Sequence, residues 1–240
     1  KLDFTIHPTA EEPIFELEYL LEDIPTARLF EEFMKLFMGG CALSTYKQLR
    51  HYGLFAHLFP QTDQILDERI NSFEDKLLIQ AFSNTDQRLA EDKPVTPAFL
   101  LAALLWSSMN RLVDEYISNG LTEMDAIYLA SDAVLSRQVS SLAMPRRFTR
   151  VAREIWSLQS RLKHRHGKRP YRLLSHPRFR AAYDFLLLRA EAGEDISELA
   201  NWWTDFQEEN YEQYGARPKD HSSSRRKHYR NYHRKKKTPE

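Results

Sequence analysis

The sequence predicts an all-α protein, and three observations support that class. Glycine accounts for only 7 of the 240 residues, which is well below the usual share of about 7%. Leu, Ala, Glu, Gln and Arg, which all favour helices, are abundant. Apolar residues recur every three to four positions along most of the chain. We therefore expect an irregular multi-helix bundle, followed by a smaller basic helical leg and a disordered basic tail.

The first predicted unit covers residues 1–60. Apolar positions at helical spacing predict helices over residues 14–24, 29–37 and 43–52. Each has a stop signal: Pro25, the pair Gly39-Gly40, and Gly53. Proline breaks a helix and glycine favours the turn that ends one, so these residues set the predicted boundaries.

The second predicted unit covers residues 61–144. Residues 73–82 carry the next apolar stripe. Thr96 and Pro97 predict the start of a helix that runs to Ile117, because threonine is a common N-cap and proline suits the first helical position. Thr122 is predicted to cap a third helix that ends near Leu142.

The third unit, residues 145–214, is the basic leg. After Pro145 the apolar positions 148, 151, 155, 158 and 162 share one helix face, and arginines lie on the other. This helix is expected to carry residues 164–166 in its last turn. A loop is expected at residues 168–172, and another helix is expected to start at residues 175–177. Trp156 and Phe179 are assigned to the core, with at least one of Trp202 and Trp203.

The fourth unit, residues 215–240, is predicted to be a disordered basic tail. Residues 217–237 contain 10 Lys/Arg and one acid, with no Val, Leu, Ile or Met. Such a segment cannot bury enough apolar surface to fold alone.

The formal net charge of zero conceals an uneven distribution. Residues 1–134 contain 22 Asp/Glu and 10 Lys/Arg, whereas residues 135–240 contain 12 Asp/Glu and 24 Lys/Arg. The densest part, residues 146–180, contains 12 Lys/Arg and a single acid, Glu154. An asymmetry of this kind indicates an anionic partner, usually nucleic acid or a membrane surface.

Several function classes find no support in the sequence. The single Cys41 excludes a disulfide framework and fits a reducing, cytoplasmic location. No apolar run reaches the about 18 residues that a membrane span needs. There is no phosphate-binding glycine loop and no cysteine pair or HExxH spacing for zinc. The sequence therefore predicts no catalytic residue and no metal ligand.

The basic leg supplies the candidate binding residues. Lys and Arg bind nucleic acids first through phosphates, and aromatic side chains can stack on unpaired bases. Tyr171, Tyr229 and Tyr232 are the aromatic candidates flanked by basic residues. The predicted RNA-binding residues are Arg146, Arg147, Arg150, Arg153, Lys168, Arg169, Tyr171, Arg172, Arg178 and Arg180.

Two other interpretations remain open at this point. In one, these arginines form ion pairs with the acidic half of the chain inside the fold. In the other, the chain is a non-catalytic helical interaction module whose basic half docks an acidic protein or nucleic acid. Salt-dependent RNA binding favours an RNA-holding role, and tight binding to a protein without RNA binding favours the module.

Two segments resemble a known family. The segment DIPTARLFEEFMKLF at residues 23–37, together with Gly53-Leu54-Phe55 and Leu58-Phe59-Pro60, resembles the neck of class II nucleotidyltransferases. The segment GKRPYRLLSHPRFRAAYDFLLLRAE at residues 167–191 resembles the C-terminal part of bacterial poly(A) polymerase, and the related CCA-adding enzymes lack it. The resemblance covers residues 1 to about 207.

The resemblance implies an enzyme that adds AMP from ATP to RNA 3′ ends with Mg²⁺, in RNA processing and turnover. The family's catalytic head precedes the neck, so this chain is expected to be a neck, body and leg that hold single-stranded RNA 3′ ends. No catalytic carboxylate carries over to any residue here. The chain alone is therefore expected to need no cofactor of its own and to add no adenylate.

Overall fold

The computed structural model describes residues 5–67 and 72–210, and within these ranges it contains helices and no strand. The prediction of an all-α fold is confirmed. The first part of the chain forms one 3₁₀ helix, Glu18–Asp23, and six α-helices. These are α1 (Pro8–Leu17), α2 (Thr26–Phe37), α3 (Ala42–His51), α4 (Leu54–Leu58), α5 (Pro60–Asp67) and α6 (Phe73–Ala90).

The second part forms seven further helices. These are α7 (Pro97–Leu104), α8 (Trp106–Ser118), α9 (Glu123–Val139), α10 (Arg146–Leu162), α11 (Arg169–Leu174), α12 (Phe179–Glu191) and α13 (Ser197–Glu209). The predicted cap of α9 is correct, because the Thr122 hydroxyl accepts the Asp125 N–H at 3.3 Å. The predicted disordered tail from residue 215 onward lies outside the described residues.

The single helix expected between Pro97 and Ile117 is wrong, because Leu105 divides it into α7 and α8. Side chains from elsewhere occupy carbonyl groups at the end of α7. The Thr62 hydroxyl donates to the Leu104 carbonyl at 2.7 Å, and the Trp156 indole N–H donates to the Ala102 carbonyl at 3.1 Å. The pattern in the sequence could not show these distant donors.

Helix α10 joins two hydrophobic cores. Ile155 and Trp156 lie in the larger core, which draws on helices from α2 to α12. Leu158 and Leu162 lie in a smaller core with Phe179 and Trp203. The core assignments of Trp156, Phe179 and one tryptophan of the 202–203 pair are therefore correct. The division into four units remains a prediction.

A buried arginine, Arg189, connects α12 to α8 and α10. Arg189 is only 7% exposed. Its Nε donates to Glu194 Oε2 at 2.7 Å and its Nη1 donates to Gln159 Oε1 at 2.9 Å, while its guanidinium carbon lies 4.3 Å from the Trp106 ring centroid. The charge is thus fully engaged by neighbours and belongs to the scaffold.

Local structure in the leg differs from the expectation at three places. Helix α10 ends at Leu162, so residues 164–166 follow it rather than forming its last turn. The expected loop at residues 168–172 is largely the short helix α11, whose start Pro170 favours through its fixed φ. Helix α12 begins at Phe179, not at residues 175–177, because the Arg178 N–H donates to His176 Nδ1 at 3.1 Å in a turn.

Candidate nucleic-acid interface

The exposed face of α10 forms the centre of the predicted basic surface. Ala152, Ile155, Trp156 and Leu158 point into the core, and the arginines of this amphipathic helix lie mainly on the opposite face. Arg146, Arg147, Arg150 and Arg161 are exposed there, and Arg153 is half-buried. The helix runs between α9 on one side and the start of α12 on the other, as its contacts with Asp132 and Arg178 show.

Four of the predicted arginines form ion pairs within the fold. Glu154 receives Arg150 Nε at 3.3 Å and Arg178 Nε at 2.9 Å. The other two pairs are Arg153 with Asp132 at 2.8 Å and Arg180 with Asp184 at 2.9 Å. The interpretation that these arginines pair with the acidic half of the chain thus holds for Arg153 alone, because the other three pair with acids of the basic half.

The other basic residues of the predicted set, together with Arg161, form no ion pair with any acid in the part of the chain that the structure describes, whereas Lys163 and Arg165 pair with Glu123 and Glu198. We call the residues without an ion pair the unpaired cations, and all are exposed. They are Arg146, Arg147, Arg161, Lys168, Arg169 and Arg172. A phosphate that approaches them displaces water only, whereas at a paired arginine it must compete with a carboxylate.

A first cleft lies at the start of α10, and we call it the Arg147 cleft. It has a volume of about 460 Å³. The ends of α6, α7, α10 and α12 form its walls. Its arginines are Arg88, Arg147, Arg178 and Arg180.

A second cleft lies at the end of α10, and we call it the Arg161 cleft. It has a volume of about 430 Å³, and its basic lining residues are Arg161, His164, Arg169 and Arg172. Glu123 is the acid in this lining. Hydrogen bonds from Lys163 at 2.8 Å and Ser160 at 2.9 Å lower the pKa of its carboxyl, so Glu123 stays ionised and already neutralised by Lys163.

His176 lies between the two clefts. Burial lowers the pKa of its imidazole, and the positive charge of Arg161 lowers it further, with a smaller contribution from Arg178 and an opposing one from Glu154. Burial and the neighbouring guanidiniums thus both favour the neutral form of this imidazole.

Tyr171 is the one predicted stacking residue within the described ranges. Its ring is 36% exposed and lies 5.1 Å from the Phe206 ring, edge to face. Phe206 in turn stacks on Trp202 with ring centroids 4.7 Å apart. Phe206 of α13 thus packs against Tyr171, and Trp202 packs against Phe206. Tyr229 and Tyr232 lie outside the described residues.

Sequence reasoning missed three lining residues as binding candidates. Arg161 and His164 lie at the end of α10 and were visible as basic residues, but only the fold shows that α11 brings Arg169 and Arg172 beside them. Arg88 comes from the acidic half of the chain, and nothing in its neighbourhood in the sequence marks it.

Other kinds of site find no support among residues 5–67 and 72–210. No three His, Cys, Asp or Glu side chains in these ranges converge as metal ligands would. Cys41 is half-buried and free. None of the described helices is long and apolar enough to cross a membrane.

The fold and this surface define an all-α protein with an exposed basic face. Comparison with known proteins is more specific. The family described as "Polymerase A arginine-rich C-terminus" matches residues 119–238, and the family described as "Probable RNA and SrmB-binding site of polymerase A" matches residues 3–66. The chain belongs to the poly(A) polymerase family that carries this arginine-rich C-terminus, and the predicted resemblance is confirmed.

Curated relatives agree with the family assignment. The chain is 41% identical over 242 residues to poly(A) polymerase I of Haemophilus influenzae, covering 98% of this chain and 53% of that protein. It is 43% identical over 210 residues to the enzyme of Salmonella typhi and 44% identical over 210 residues to that of Escherichia coli O6:H1, covering 86% of this chain and 45% of each relative. The chain thus spans about half the length of the curated relatives it matches.

Proposed function

We propose that this chain holds the 3′ end of single-stranded RNA for a polynucleotide adenylyltransferase that adds AMP from ATP in the cytoplasm. The observation that carries the proposal is the set of six unpaired cations along α10 and α11. They lie on the exposed face of α10 and around α11, and the family membership connects this basic surface with RNA. ATP and Mg²⁺ belong to the proposed activity, but the described residues offer no acidic cluster for the metal, and none is assigned a catalytic role.

The surface suits a strand whose sequence and length change with every added nucleotide. Contacts to phosphates position a nucleic acid without reading its bases. The unpaired cations supply such contacts, while the ion pair between Arg178 and Glu154 keeps the start of α12 against α10. The strand would therefore lie along α10, from one cleft to the other.

Residues 3–66 suit a protein partner better than phosphates. This range carries the description of an RNA and SrmB-binding site, yet it contains 10 Asp/Glu and only 4 Lys/Arg. Phe15, Leu17, Tyr19 and Leu20 are each more than two-fifths exposed there. We assign RNA contact chiefly to residues 146–180, and an acidic and apolar protein-contact surface to the first two helices.

Binding of labelled single-stranded RNA, measured by fluorescence anisotropy at low salt, tests the proposal. The test variant carries four changes to alanine at Arg146, Arg147, Lys168 and Arg169. The control carries four changes at exposed basic residues of the acidic half: Arg28, Lys35, Lys47 and Lys76. We expect the first to lose RNA affinity and the second to keep it. Equal affinity of both variants, or binding to a protein but not to RNA, would contradict the proposal.

A further inference from the structure

The Arg147 cleft has an apolar interior, although arginines surround its mouth. Phe99, Phe148, Val151 and Ala181 form the interior, and Pro94, Val95 and Pro177 extend it. A surface that only attracted phosphates would need no such cavity. The volume of about 460 Å³ lies within the range of about 300–1,000 Å³ that is typical of small-molecule pockets.

The aromatic walls of the interior pack against the hydrophobic core. The Phe99 ring meets the Phe185 ring edge to face at 5.8 Å, and Phe185 is fully buried. The Phe148 ring lies 5.9 Å from the ring of Phe30, which is also buried. A ligand therefore enters a preformed cavity, and its binding requires little ordering of the cavity walls.

The rim places cations directly beside this apolar interior. The Arg147 guanidinium carbon lies 4.6 Å from the Phe148 ring centroid, and Arg147 has no acidic partner among the described residues. Arg88 donates from Nε and Nη2 to the Pro94 carbonyl at 3.4 and 3.1 Å. Arg180 pairs with Asp184, which also lines the cleft. Apolar walls with planar cations at the mouth fit a flat heterocycle attached to a phosphate.

We propose that the Arg147 cleft takes one unstacked nucleobase of the RNA strand, with the adjoining phosphate on Arg147. The inference rests on the proposed RNA-holding function and adds a base-binding pocket to it. Side chains that stack on bases bind all four, because every base has an aromatic face. The pocket would fix the strand at one point along α10, which phosphate contacts alone do not do.

Two variants that fill the cleft without changing charge test the proposal. Ala181→Phe fills it from α12, and Val95→Trp fills it from the loop before α7, so one remains informative if the other does not fold. Ala27→Phe, on the exposed side of α2, is the matched control. Thermal unfolding of each variant is measured first.

Three probes separate the base from the phosphate: an oligoadenylate of about ten nucleotides, a ribose-phosphate oligomer of the same length without bases, and AMP. We expect the wild type to bind the oligoadenylate more tightly than the abasic oligomer. The cleft-filling variants should reduce this ratio at least about fivefold, which corresponds to stacking of one base. Their affinity for the abasic oligomer should not change.

The outcomes distinguish failure of the inference from failure of the proposed function. Folded variants with an unchanged ratio overturn the base pocket and leave RNA binding intact. Tight AMP binding that Ala181→Phe removes, with an unchanged oligomer ratio, assigns the cleft to a free nucleotide and also overturns the inference. If the wild type binds neither oligomer at low salt, the proposed function itself is refuted, and the inference with it.

Discussion

Changing the three cations around α11, Lys168, Arg169 and Arg172, to alanine should make RNA binding less sensitive to salt. All three are exposed and without an acidic partner in the described parts of the chain, so their loss should leave the fold intact. Each phosphate neutralised on a single strand contributes a slope of about −0.7 to the dependence of log affinity on log salt concentration. Three lost contacts should therefore make the slope about 2.1 less steep.

The expected difference is large enough to measure. Between 50 and 200 mM salt, a change of about 2.1 in slope means that the wild type loses about 20-fold more affinity than the variant. Because the prediction concerns a difference between two proteins, charges elsewhere in the chain do not affect it. Fluorescence anisotropy titrations at four salt concentrations give both slopes.

The control removes the same charge from another surface. Arg28, Lys47 and Lys76 are exposed on the acidic half, and their joint change to alanine should leave the slope near that of the wild type. If this control and the α11 variant change the slope equally, net charge governs binding. In that case the assignment of phosphates to α11 would be refuted.

The other predictions concern the stability of the scaffold and use chemical denaturation. Glu194→Ala should lower the free energy of unfolding by about 3 kcal/mol, because it leaves the buried Arg189 charge without its carboxylate. A decrease below about 1 kcal/mol would show that Gln159 and the Trp106 ring are enough to stabilise the charge. Thr122→Ala should cost about 1 kcal/mol through loss of the α9 cap, and an unchanged midpoint would contradict that role. Gly53→Ala should cost more than Gly120→Ala. Both glycines have positive φ, +72° and +92°, but only at Gly53 would a Cβ meet the Glu18 carboxylate; equal costs would mean that Glu18 moves freely aside.

Local pattern predicted most helices of this protein, but the single helix expected over residues 14–24 is wrong, because α1 ends at Leu17 and the 3₁₀ helix Glu18–Asp23 follows it. The apolar stripe of α10, the cap at Thr122 and the burial of Trp156 all follow from side chains close together in the sequence. The break at Leu105 does not, because Thr62 and Trp156 reach the carbonyls at the end of α7 from distant elements. The prediction of a loop at residues 168–172 failed for another reason. Helix α11 has only six residues, which is too few for an apolar pattern to identify it.

The sequence predicted the positive charge of the candidate site but not the arrangement of its residues in the clefts. The sequence identifies residues 146–180 as basic, which predicts nine Arg/Lys contacts, and Tyr171 joins them as an aromatic residue. Only the fold distinguishes Arg150 and Arg178, which pair with Glu154, from Arg169 and Arg172, which share a cleft with Glu123 but form no ion pair with it. Only the fold brings Arg88, from an acidic segment, to the rim of the Arg147 cleft.

Because α10 is buried in both hydrophobic cores, it fixes the positions of the two clefts relative to each other. Arg147 and Arg161 are 14 residues apart on one unbroken helix, which places them about 21 Å apart along its axis. Because Trp156 anchors the helix in one core and Leu162 anchors it in the other, neither cleft can shift along α10 without the other. Insertion of a single residue between them would turn one cleft about 100° away from the other. The helix thus fixes both the distance and the angle at which a strand passes from one cleft to the next.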